Sequence, residues 1–288
     1  MLTLLHISDL HFGPVYLPPV GDAVQRAAAE LQPDIIVASG DFTQRAKAQQ
    51  FAEARAFLDA LPPAPRIVVP GNHDVPLYRV AERLFAPYAN YRKHICDELD
   101  TVLVRDDAVI VALNTTAPWT KITNGRVTRQ QLDFCSRAFA DVPSGAARIV
   151  VAHHHFAPAP DYDDRHDVMR RARQALDRFN ELDVDLVLGG HLHRAYIGNS
   201  LDVYPSQSRA SGIIIVHSGT TTSRRGRARE REKNSFNLIG INAELVRVTH
   251  YMYFSQLAAF APVGRHEFPR RNRLYLADCP QGDRATQA

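Results

Sequence analysis

The stretch that decides the fold reads LTLLHISDLH, residues 2–11. It begins with an apolar run of strand length and ends in the polar pair Asp9 and His11. A short apolar run bounded by turn-forming residues is typical of a buried strand. In a strand or a turn, alternate residues point to the same side, so Asp9 and His11 can reach one point. The stretch therefore predicts a buried strand that presents two polar side chains together at its carboxyl end.

The same arrangement, an apolar run followed at once by a polar cluster, occurs four more times along the chain. These clusters are Gly40-Asp41, Gly71-Asn72-His73-Asp74, His153-His154-His155 and Gly190-His191-Leu192-His193. In α/β sheets, ligands bind just outside the carboxyl ends of the strands, where the loops meet. We therefore expect all five clusters to converge on one site. A side chain in place of Gly40, Gly71 or Gly190 would obstruct that site.

Amphipathic stretches alternate with the apolar runs through the first two thirds of the chain, which is typical of βαβ units around a buried sheet. Asp22 is expected to cap the first helix, and the aromatic stretch 78–99 is expected to be helical. Residues 102–104 and 109–113 predict a hairpin, and from Ile213 onward the pattern indicates strands alone. The sequence therefore predicts an α/β fold.

Length and composition limit the class of protein. The chain has 288 residues, of which 45% are hydrophobic and 23% are charged, as in soluble globular proteins. A formal net charge of +3 supplies no global basic field, so a nucleic-acid partner is not expected. The three cysteines have no metal-binding or redox spacing, and no apolar run approaches the ~20 residues that span a bilayer. We therefore expect a cytoplasmic protein without a transmembrane segment.

Two parts are expected along the chain. Residues 1–255 carry every motif and are expected to form one domain. Residues 256–288 mix proline, arginine and small residues without periodicity, so they are expected to form a tail that docks on the domain or is partly disordered. This tail is also the candidate interface of a homo-oligomer.

The polar clusters contain oxygen and imidazole donors but no thiolate, a set that suits Mn, Fe, Zn, Co or Mg. Seven candidate ligands are too many for one ion, but they suffice for two ions about 3.5–4 Å apart that share a carboxylate. The candidate ligands are Asp9, His11, Asp41, Asn72, His153, His191 and His193. The pattern therefore indicates two divalent metal ions as cofactors.

Together and in this order, the five motifs resemble those of the calcineurin-like metallophosphoesterase superfamily. The resemblance implies a β-sandwich flanked by helices, in four layers α/β/β/α, and a dinuclear centre for which Mn or Fe is favoured. It implies one metal bound by Asp9, His11 and His193, a second bound by Asn72, His153 and His191, and a bridge between them at Asp41. His154 competes with His153 for its position.

His73 lies next to a ligand without being one. An imidazole at this point is suited to hydrogen-bond a phosphoryl oxygen or to protonate the departing alkoxide. Asp74 is expected to orient His73, as carboxylates near metal sites often do. The expected reaction is in-line attack on phosphorus by a metal-activated hydroxide, with His73 as the general acid.

A basic run occupies residues 224–233, with Glu230 and Glu232 among its arginines. It is either a solvated loop or a loop from which one or two arginines meet an anionic substrate. His6 and His217 lie within or at the end of strands and are expected to be hydrogen-bonded structural histidines.

Departures from sister groups narrow the substrate class. Purple acid phosphatases carry a metal-binding tyrosine where Gln44 stands, and Ser/Thr protein phosphatases carry an Asp-Arg-Gly segment of which only Arg45 remains. The motif forms are most similar to those of bacterial cyclic-nucleotide and glycerophosphodiester phosphodiesterases, which implies a small phosphodiester substrate. The alternatives are a pyrophosphate hydrolase of nucleotide-linked lipid or sugar precursors, a DNA nuclease relative, and a degenerate member that serves as a scaffold.

Overall fold

The structure is a computed structural model that describes residues 1–120, 124–143, 145–158, 168–204, 212–227 and 231–270. Its strands are numbered in chain order and form two six-stranded mixed sheets. The first sheet has the order β12-β11-β10-β1-β2-β3 and contains β1 (Leu2–Ile7), β2 (Ile35–Ala38), β3 (Arg66–Val68), β10 (Ser235–Ile241), β11 (Leu245–Phe254) and β12 (Ala259–Pro269). The second has the order β4-β5-β6-β7-β9-β8 and contains β4 (Thr101–Val104), β5 (Ala108–Leu113), β6 (Ala147–Ala152), β7 (Leu186–Gly189), β8 (Tyr196–Asn199) and β9 (Ile214–His217).

Each sheet has a parallel part that carries the motifs. Strands β1, β2 and β3 are parallel in the first sheet, and β5, β6, β7 and β9 are parallel in the second. The remaining strands pair antiparallel, including the predicted hairpin of β4 and β5. Because the motifs follow parallel strands, their loops leave each sheet at the same edge.

The sheets pack face to face and helices cover both outer faces. The layer between the sheets contains aliphatic side chains such as Leu4, Val37, Ile110, Ile149 and Val248, all fully buried. Three helices cover the first sheet: α1 (Pro18–Leu31), α2 (Ala48–Asp59) and α4 (Ala89–His94). Two helices cover the second: α5 (Arg129–Ala138) and α6 (Ala172–Glu181). The expected four-layer α/β/β/α arrangement is therefore confirmed.

Two local expectations about helices are corrected. The first helix begins at Pro18, four residues before the expected cap Asp22, because proline at the first helical position has a preset φ and needs no N–H partner. The aromatic stretch 78–99, expected to be helical, is helical only over two six-residue segments, α3 (Val80–Phe85) and α4. Pro87 lies between them and cannot donate to a continuing helix.

The C-terminal segment also differs from the expected tail. Strand β12 pairs antiparallel with β11 from Leu245↔Pro269 to Phe254↔Ala259, so the folded sheet extends well past residue 255. The Arg270 guanidinium then donates to Asp185 at 3.0 Å and to the carbonyls of Gly145, Ala146 and Asn242. These bonds tie the end of β12 to the second sheet. Residues 271–288, the remainder of the expected tail, lie outside the described residues.

Of the described helices, none combines the length and the apolar character that crossing a membrane requires. Two short elements complete the described structure: helix α7 (Ser200–Val203), which follows β8, and a single 3-10 turn over Asn72–Asp74.

Candidate metal centre

The seven candidate ligands lie on loops that follow β1, β2, β3, β6 and β7, and the structure brings all of them together. Backbone bonds extend strand pairing into these loops, with Asp9 N donating to Gly40 O at 3.0 Å and His11 N donating to Asp41 O at 2.9 Å. In the second sheet, Gly190 N donates to His153 O at 3.1 Å. The loops are therefore aligned by the parallel strands beneath them, as the sequence predicts.

One half of the cluster consists of Asp9, His11, Asp41 and His193. All four are buried, and one ligand atom from each lies within 4.8 Å of the others. His193 Nε2 is 3.2 Å from Asp9 Oδ1, and His11 Nε2 is 3.6 Å from Asp41 Oδ2. The two imidazole nitrogens His11 Nε2 and His193 Nε2 face each other at 3.2 Å. This group is placed to surround one cation.

The other half consists of Asn72, His153 and His191, again beside Asp41. His153 Nε2 is 3.5 Å from Asp41 Oδ2 and 3.2 Å from Asn72 Oδ1. His191 Nδ1 is 2.9 Å from the same Asn72 oxygen. Asp41 Oδ2 therefore lies next to both halves of the cluster.

Two buried oxygen atoms test whether this cluster fits cations. Among the described residues, neither Asp9 Oδ1 nor Asp41 Oδ2 has a hydrogen-bond partner. A buried carboxylate oxygen without a partner is costly, and coordination of a cation removes that cost. Asp9 Oδ1 lies in the first half and Asp41 Oδ2 at the junction of the two halves, so the residues present fit two ions.

The electrostatics of the cluster favour metal-binding protonation states for His11, His191 and Asp9, but not for His153. Burial lowers the pKa of His11 to about 4 and that of His191 well below its usual value, which keeps both imidazoles neutral. Burial opposes ionisation of Asp9, but the neighbouring His193 holds its pKa well below the usual range. Burial also opposes protonation of His153, yet Asp41 raises its pKa, so a cation here competes with one proton.

The backbone at the cluster is left-handed rather than extended. The φ angles of Asp9, His11, Asp41, His191 and His193 lie between 51° and 71°. This region costs a non-glycine residue of the order of 1 kcal/mol or more, and such residues cluster at functional sites. Asp9 and His11 therefore reach the same cluster, as expected, from a left-handed turn that follows the strand.

The glycines are needed for space, as expected. A Cβ on Gly40, whose φ is +96°, would lie 2.6 Å from His153 Nδ1. A Cβ on Gly71 would strike Asp41 Oδ1, and one on Gly190 would strike Ser8 Oγ and lie 2.6 Å from Asp9 Oδ2. Each clash is with a ligand or with the loop that carries one.

A run of hydroxyl residues after β9 holds the first ligand loop, and sequence reasoning missed it. Thr220 Oγ1 donates to Asp9 O at 2.8 Å, and Thr222 Oγ1 donates to Leu10 O at 2.8 Å. Between them, Thr221 Oγ1 accepts from Ser8 N at 3.0 Å. All three threonines are fully buried. The signal for them was their position, since five hydroxyl residues follow an apolar strand within residues 218–223, at the edge where the ligands converge.

Backbone carbonyls orient two of the candidate ligand histidines. His153 Nδ1 is 2.8 Å from Ser39 O, and His193 Nδ1 is 2.8 Å from Arg225 O. Each bond leaves the Nε2 atom facing the cluster. His154 is turned elsewhere, because its Nδ1 pairs with Thr115 Oγ1 at 2.8 Å. The geometry therefore favours His153 over its competitor.

His73 sits beside the first half of the cluster. Its ring centroid is 4.8 Å from that of His11, and its backbone N donates to Asp41 Oδ1 at 2.8 Å. Its Nδ1 is 3.0 Å from Gln44 O, which leaves Nε2 as the second ring nitrogen. Burial lowers the pKa of His73.

The expectation that Asp74 orients His73 is corrected. The Asp74 carboxylate accepts from the backbone amides of Phe42, Thr43 and Gly71 at 3.1, 2.9 and 2.9 Å, and from Thr43 Oγ1 at 3.1 Å. It joins the loop after β2 to the loop after β3. The Gln44 carbonyl, not Asp74, holds the His73 ring.

The basic run divides into one inward residue and several exposed ones. Arg225 is half-buried and donates from Nη1 to Gln44 Oε1 at 3.1 Å. Arg224, Arg227 and Arg231 lie further out, and residues 228–230 lie outside the described residues. Gln44 therefore contacts both residues: its side-chain oxygen accepts from Arg225, and its backbone carbonyl holds the His73 ring.

His6 and His217 are hydrogen-bonded, as expected. His6 Nε2 is 2.9 Å from Ser39 Oγ, and His217 Nδ1 is 3.2 Å from Gly190 O. Both are buried beneath the cluster, and burial lowers the pKa of each to about 3. Both are therefore neutral structural histidines at ordinary pH.

The chain matches the model of a known protein family. The family model described as calcineurin-like phosphoesterase matches residues 2–195. No sequence among the curated proteins matches the chain.

Solved structures share the fold at low sequence identity. A purple acid phosphatase from seeds of yellow lupin (Lupinus luteus) superposes with a TM-score of 0.65 at 13% identity, over 93% of this chain and 54% of that chain. A dimetal phosphatase from Danio rerio gives 0.63 at 12% identity, over 93% of this chain and 99% of that one. The structure of PhoD gives 0.65 at 12% identity, over 91% and 71%. At these identities the likeness shows the fold alone, and this chain spans about half the length of the lupin enzyme.

Proposed function

Because the chain belongs to the calcineurin-like phosphoesterase family, we propose that it hydrolyses phosphodiesters at a dinuclear metal centre. We assign Asp9, His11 and His193 to one ion and Asn72, His153 and His191 to the other, with Asp41 as the bridge. The observation that carries the proposal is the position of Asp41 Oδ2, which is 3.6 Å from His11 Nε2, 3.5 Å from His153 Nε2 and without a hydrogen-bond partner in the described chain.

Oxygen and imidazole donors favour borderline divalent ions, and we propose Mn or Fe. Two such ions, when bound, supply Lewis acidity that activates a water nucleophile and polarises the phosphoryl oxygens. The protein residues set the geometry: the threonines after β9 hold the Asp9 loop, and the carbonyls of Ser39 and Arg225 hold His153 and His193. A site held in this way needs little reorganisation during the reaction.

We assign His73 as the general acid that protonates the leaving alkoxide from Nε2. Its Nδ1 is engaged by the Gln44 carbonyl, which fixes the ring plane beside His11. Burial lowers its pKa, and the negative charge of a bound phosphoester acts in the opposite direction, favouring the protonated ring when substrate is present.

The choice of a diester over a monoester rests on the motif forms and on charge. A phosphodiester carries one negative charge, and among the described arginines of the basic run we assign Arg225, whose guanidinium turns toward Gln44, to meet it. One guanidinium group can donate two parallel hydrogen bonds to the two non-bridging oxygens of a phosphodiester. The alkoxide leaving group of either kind of ester needs a proton donor, and we assign that role to His73. The motif forms favour small diesters of the cyclic-nucleotide or glycerophosphodiester type.

The test is hydrolysis by Mn²⁺-loaded protein of bis(p-nitrophenyl) phosphate against p-nitrophenyl phosphate. We expect the diester to be the better substrate by kcat/KM, and we expect Asp41→Ala and Asn72→Ala to abolish activity while the exposed-residue control Asp97→Asn retains it. A panel of cyclic nucleotides, glycerophosphodiesters, nucleotide sugars and single-stranded DNA then identifies the substrate class. Activity that survives exhaustive chelation would contradict the metal mechanism, and a dominant rate on monoesters would contradict the substrate assignment.

A further inference from the structure

Helix α3 exposes its apolar side chains to solvent and turns an arginine toward the protein. None of its residues is buried, and its large apolar side chains Val80, Leu84 and Phe85 are exposed, Phe85 at 87%. The arginine Arg83 on the helix and Arg79 just before it instead bond to the protein beneath. A surface helix of a globular protein normally turns its apolar side inward. The apolar side of α3 is therefore placed to contact a binding partner or a non-aqueous environment.

Specific contacts hold this helix in place. Arg79 donates from Nη1 and Nη2 to the carbonyls of Arg45 and Ala46 at 3.1 and 2.8 Å. Arg83 donates to the carbonyls of Pro118 and Thr120 at 2.5 and 2.8 Å. A guanidinium group carries five N–H donors, and the bonds of these two groups to backbone carbonyls fix the orientation of the helix. The contacts beneath the helix therefore keep its apolar side turned outward.

Neighbouring side chains enlarge the exposed apolar area. Leu77 and Tyr78 precede the helix, and Tyr78 is 72% exposed. Trp119 is 58% exposed and donates from its indole nitrogen to Leu84 O at 3.2 Å, which places it against α3. We call this surface the α3 face, and it consists of Leu77, Tyr78, Val80, Leu84, Phe85 and Trp119. Contiguous exposed apolar patches mark interaction sites.

The composition and the charge of the α3 face point to a lipid bilayer. Three of its six side chains, Tyr78, Phe85 and Trp119, are aromatic, and tyrosine and tryptophan favour the membrane–water interface. The Arg45 guanidinium lies 4.9 Å from the centroid of the Tyr78 ring, and Lys47 is exposed two residues further on. The only carboxylate within residues 77–85, Glu82, is paired with Arg79 at 2.8 Å. Exposed cations at the rim of an aromatic and aliphatic surface complement anionic phospholipid headgroups.

We propose that the α3 face docks on bilayers that contain anionic phospholipid. The aromatic and aliphatic side chains enter the headgroup region, while Arg45 and Lys47 attract the anionic surface. The face follows the Gly71–Asp74 loop by only a few residues, so docking brings that edge of the metal centre to the membrane. Binding to the bilayer does not rest on catalysis, and it is measured without a substrate.

The test uses the full chain with vesicles of phosphatidylcholine alone or mixed with phosphatidylglycerol. Trp119 is the single tryptophan of the chain, so its fluorescence reports on the α3 face alone. In the free protein we expect emission typical of an exposed indole that acrylamide quenches readily. With phosphatidylglycerol vesicles we expect a blue shift, protection from acrylamide and co-sedimentation, all weaker with phosphatidylcholine alone and at high salt.

Two variants and a control give the test its specificity. Phe85→Ser should weaken partitioning by about tenfold, because it removes a large apolar side chain from the interface. Arg45→Gln combined with Lys47→Gln should reduce the difference between the two vesicle types. Leu257→Ser removes an apolar side chain that is 66% exposed elsewhere on the protein, and it should change nothing.

Three results would overturn the proposal. One is equal binding of wild type and Phe85→Ser to anionic vesicles, and another is no binding to either vesicle. The third is protection of Trp119 from acrylamide in protein without vesicles. Protection at every protein concentration would mean that the chain covers its own α3 face. Protection only at high protein concentration would mean that a second copy of the chain covers it.

Discussion

Replacement of Asp74 by asparagine separates a structural carboxylate from a catalytic one. Each Asp74 oxygen accepts two bonds: Oδ1 from Thr43 N and Thr43 Oγ1, and Oδ2 from Phe42 N and Gly71 N. The asparagine side chain would keep one acceptor oxygen and turn an amide donor toward the other pair. The Thr43 hydroxyl can rotate to accept from that amide, so the least costly arrangement leaves Thr43 N as the one buried donor without a partner.

The expected loss follows from this arrangement. One orphaned amide costs about 1–3 kcal/mol. Burial and the neighbouring Asp41 raise the pKa of Asp74 to about 7, so above that pH the remaining bonds also become weaker, because the acceptor has lost its charge. We expect Asp74→Asn to lower the free energy of unfolding by about 3 kcal/mol, and the Tm by roughly 5 °C for a domain of this size. The exposed-site control Asp97→Asn should remain within about 0.5 kcal/mol of wild type.

The assay is urea unfolding followed by circular dichroism, with chelator present throughout so that metal affinity does not contribute to stability. Residual Mn²⁺-dependent activity of folded Asp74→Asn should keep the pH dependence of wild type, because Gln44 and not Asp74 holds His73. A variant as stable as wild type whose activity collapses with an altered pH profile would refute the reasoning and would restore Asp74 as the residue that orients His73.

The remaining predictions concern the acid, the inward arginine and the buried histidines. His73→Ala should retain two equivalents of Mn²⁺ and lose about 10²–10⁴-fold in turnover of a glycerophosphodiester, whose alkoxide needs a proton, but lose much less with bis(p-nitrophenyl) phosphate, whose leaving group departs as the anion. Loss of bound metal, measured by plasma mass spectrometry, would show instead that His73 is a ligand. Arg225→Lys should raise KM about tenfold with little change in kcat, because lysine cannot reproduce the guanidinium fork, while the exposed control Arg224→Lys should leave both constants unchanged; equal KM values for the two variants would favour a solvated loop. In chelated protein, the free energy of unfolding should fall as pH falls below about 6.5. Burial lowers the pKa values of His6, His217 and His250 to about 3, 3 and 4. As the pH falls, these histidines therefore take up protons in the unfolded chain before they do in the folded one, which favours unfolding. His250→Gln should reduce that slope by up to about 1.4 kcal/mol per pH unit, and an unchanged slope in pH-dependent urea titrations would mean that His250 does not titrate differently on folding.

The positions of most strands along the chain and the meeting of the ligands could be predicted because both depend on local pattern. Apolar runs identify buried strands, and polar residues just after parallel strands necessarily lie at one edge of a sheet. Asp9 and His153 follow strands of different sheets, and they meet because the two sheets also pack face to face. The resemblance to a known family then supplied the division of the ligands between two ions.

Other features have no local signature. Thr220 lies 211 residues from Asp9, whose carbonyl it holds, so no spacing in the sequence connects them. The left-handed backbone at the ligands runs against residue preference and is imposed by such long-range bonds. Strand β12 was missed because it is an edge strand with many exposed positions and a register shift opposite His250 and Tyr251, which removes a clear alternation of apolar and polar residues.

Asp74 illustrates a different limit. Its position beside His73 suggests a catalytic pair, but consecutive residues in a tight 3-10 turn point in different directions. The carboxylate therefore meets the amides of the neighbouring loop rather than the imidazole. Residue type and adjacency predicted that Asp74 matters to the site, and only the fold could show which atoms it contacts.

The central claim is that Asp41 joins two metal ions, and anomalous scattering from crystals of the Mn²⁺-loaded protein tests it most directly. We predict two anomalous peaks about 3.5–4 Å apart. One should lie about 2.0–2.2 Å from ligand atoms of Asp9, His11 and His193, the other at a similar distance from those of Asn72, His153 and His191, and both should contact Asp41. A single peak, or two peaks that do not share Asp41, would contradict it.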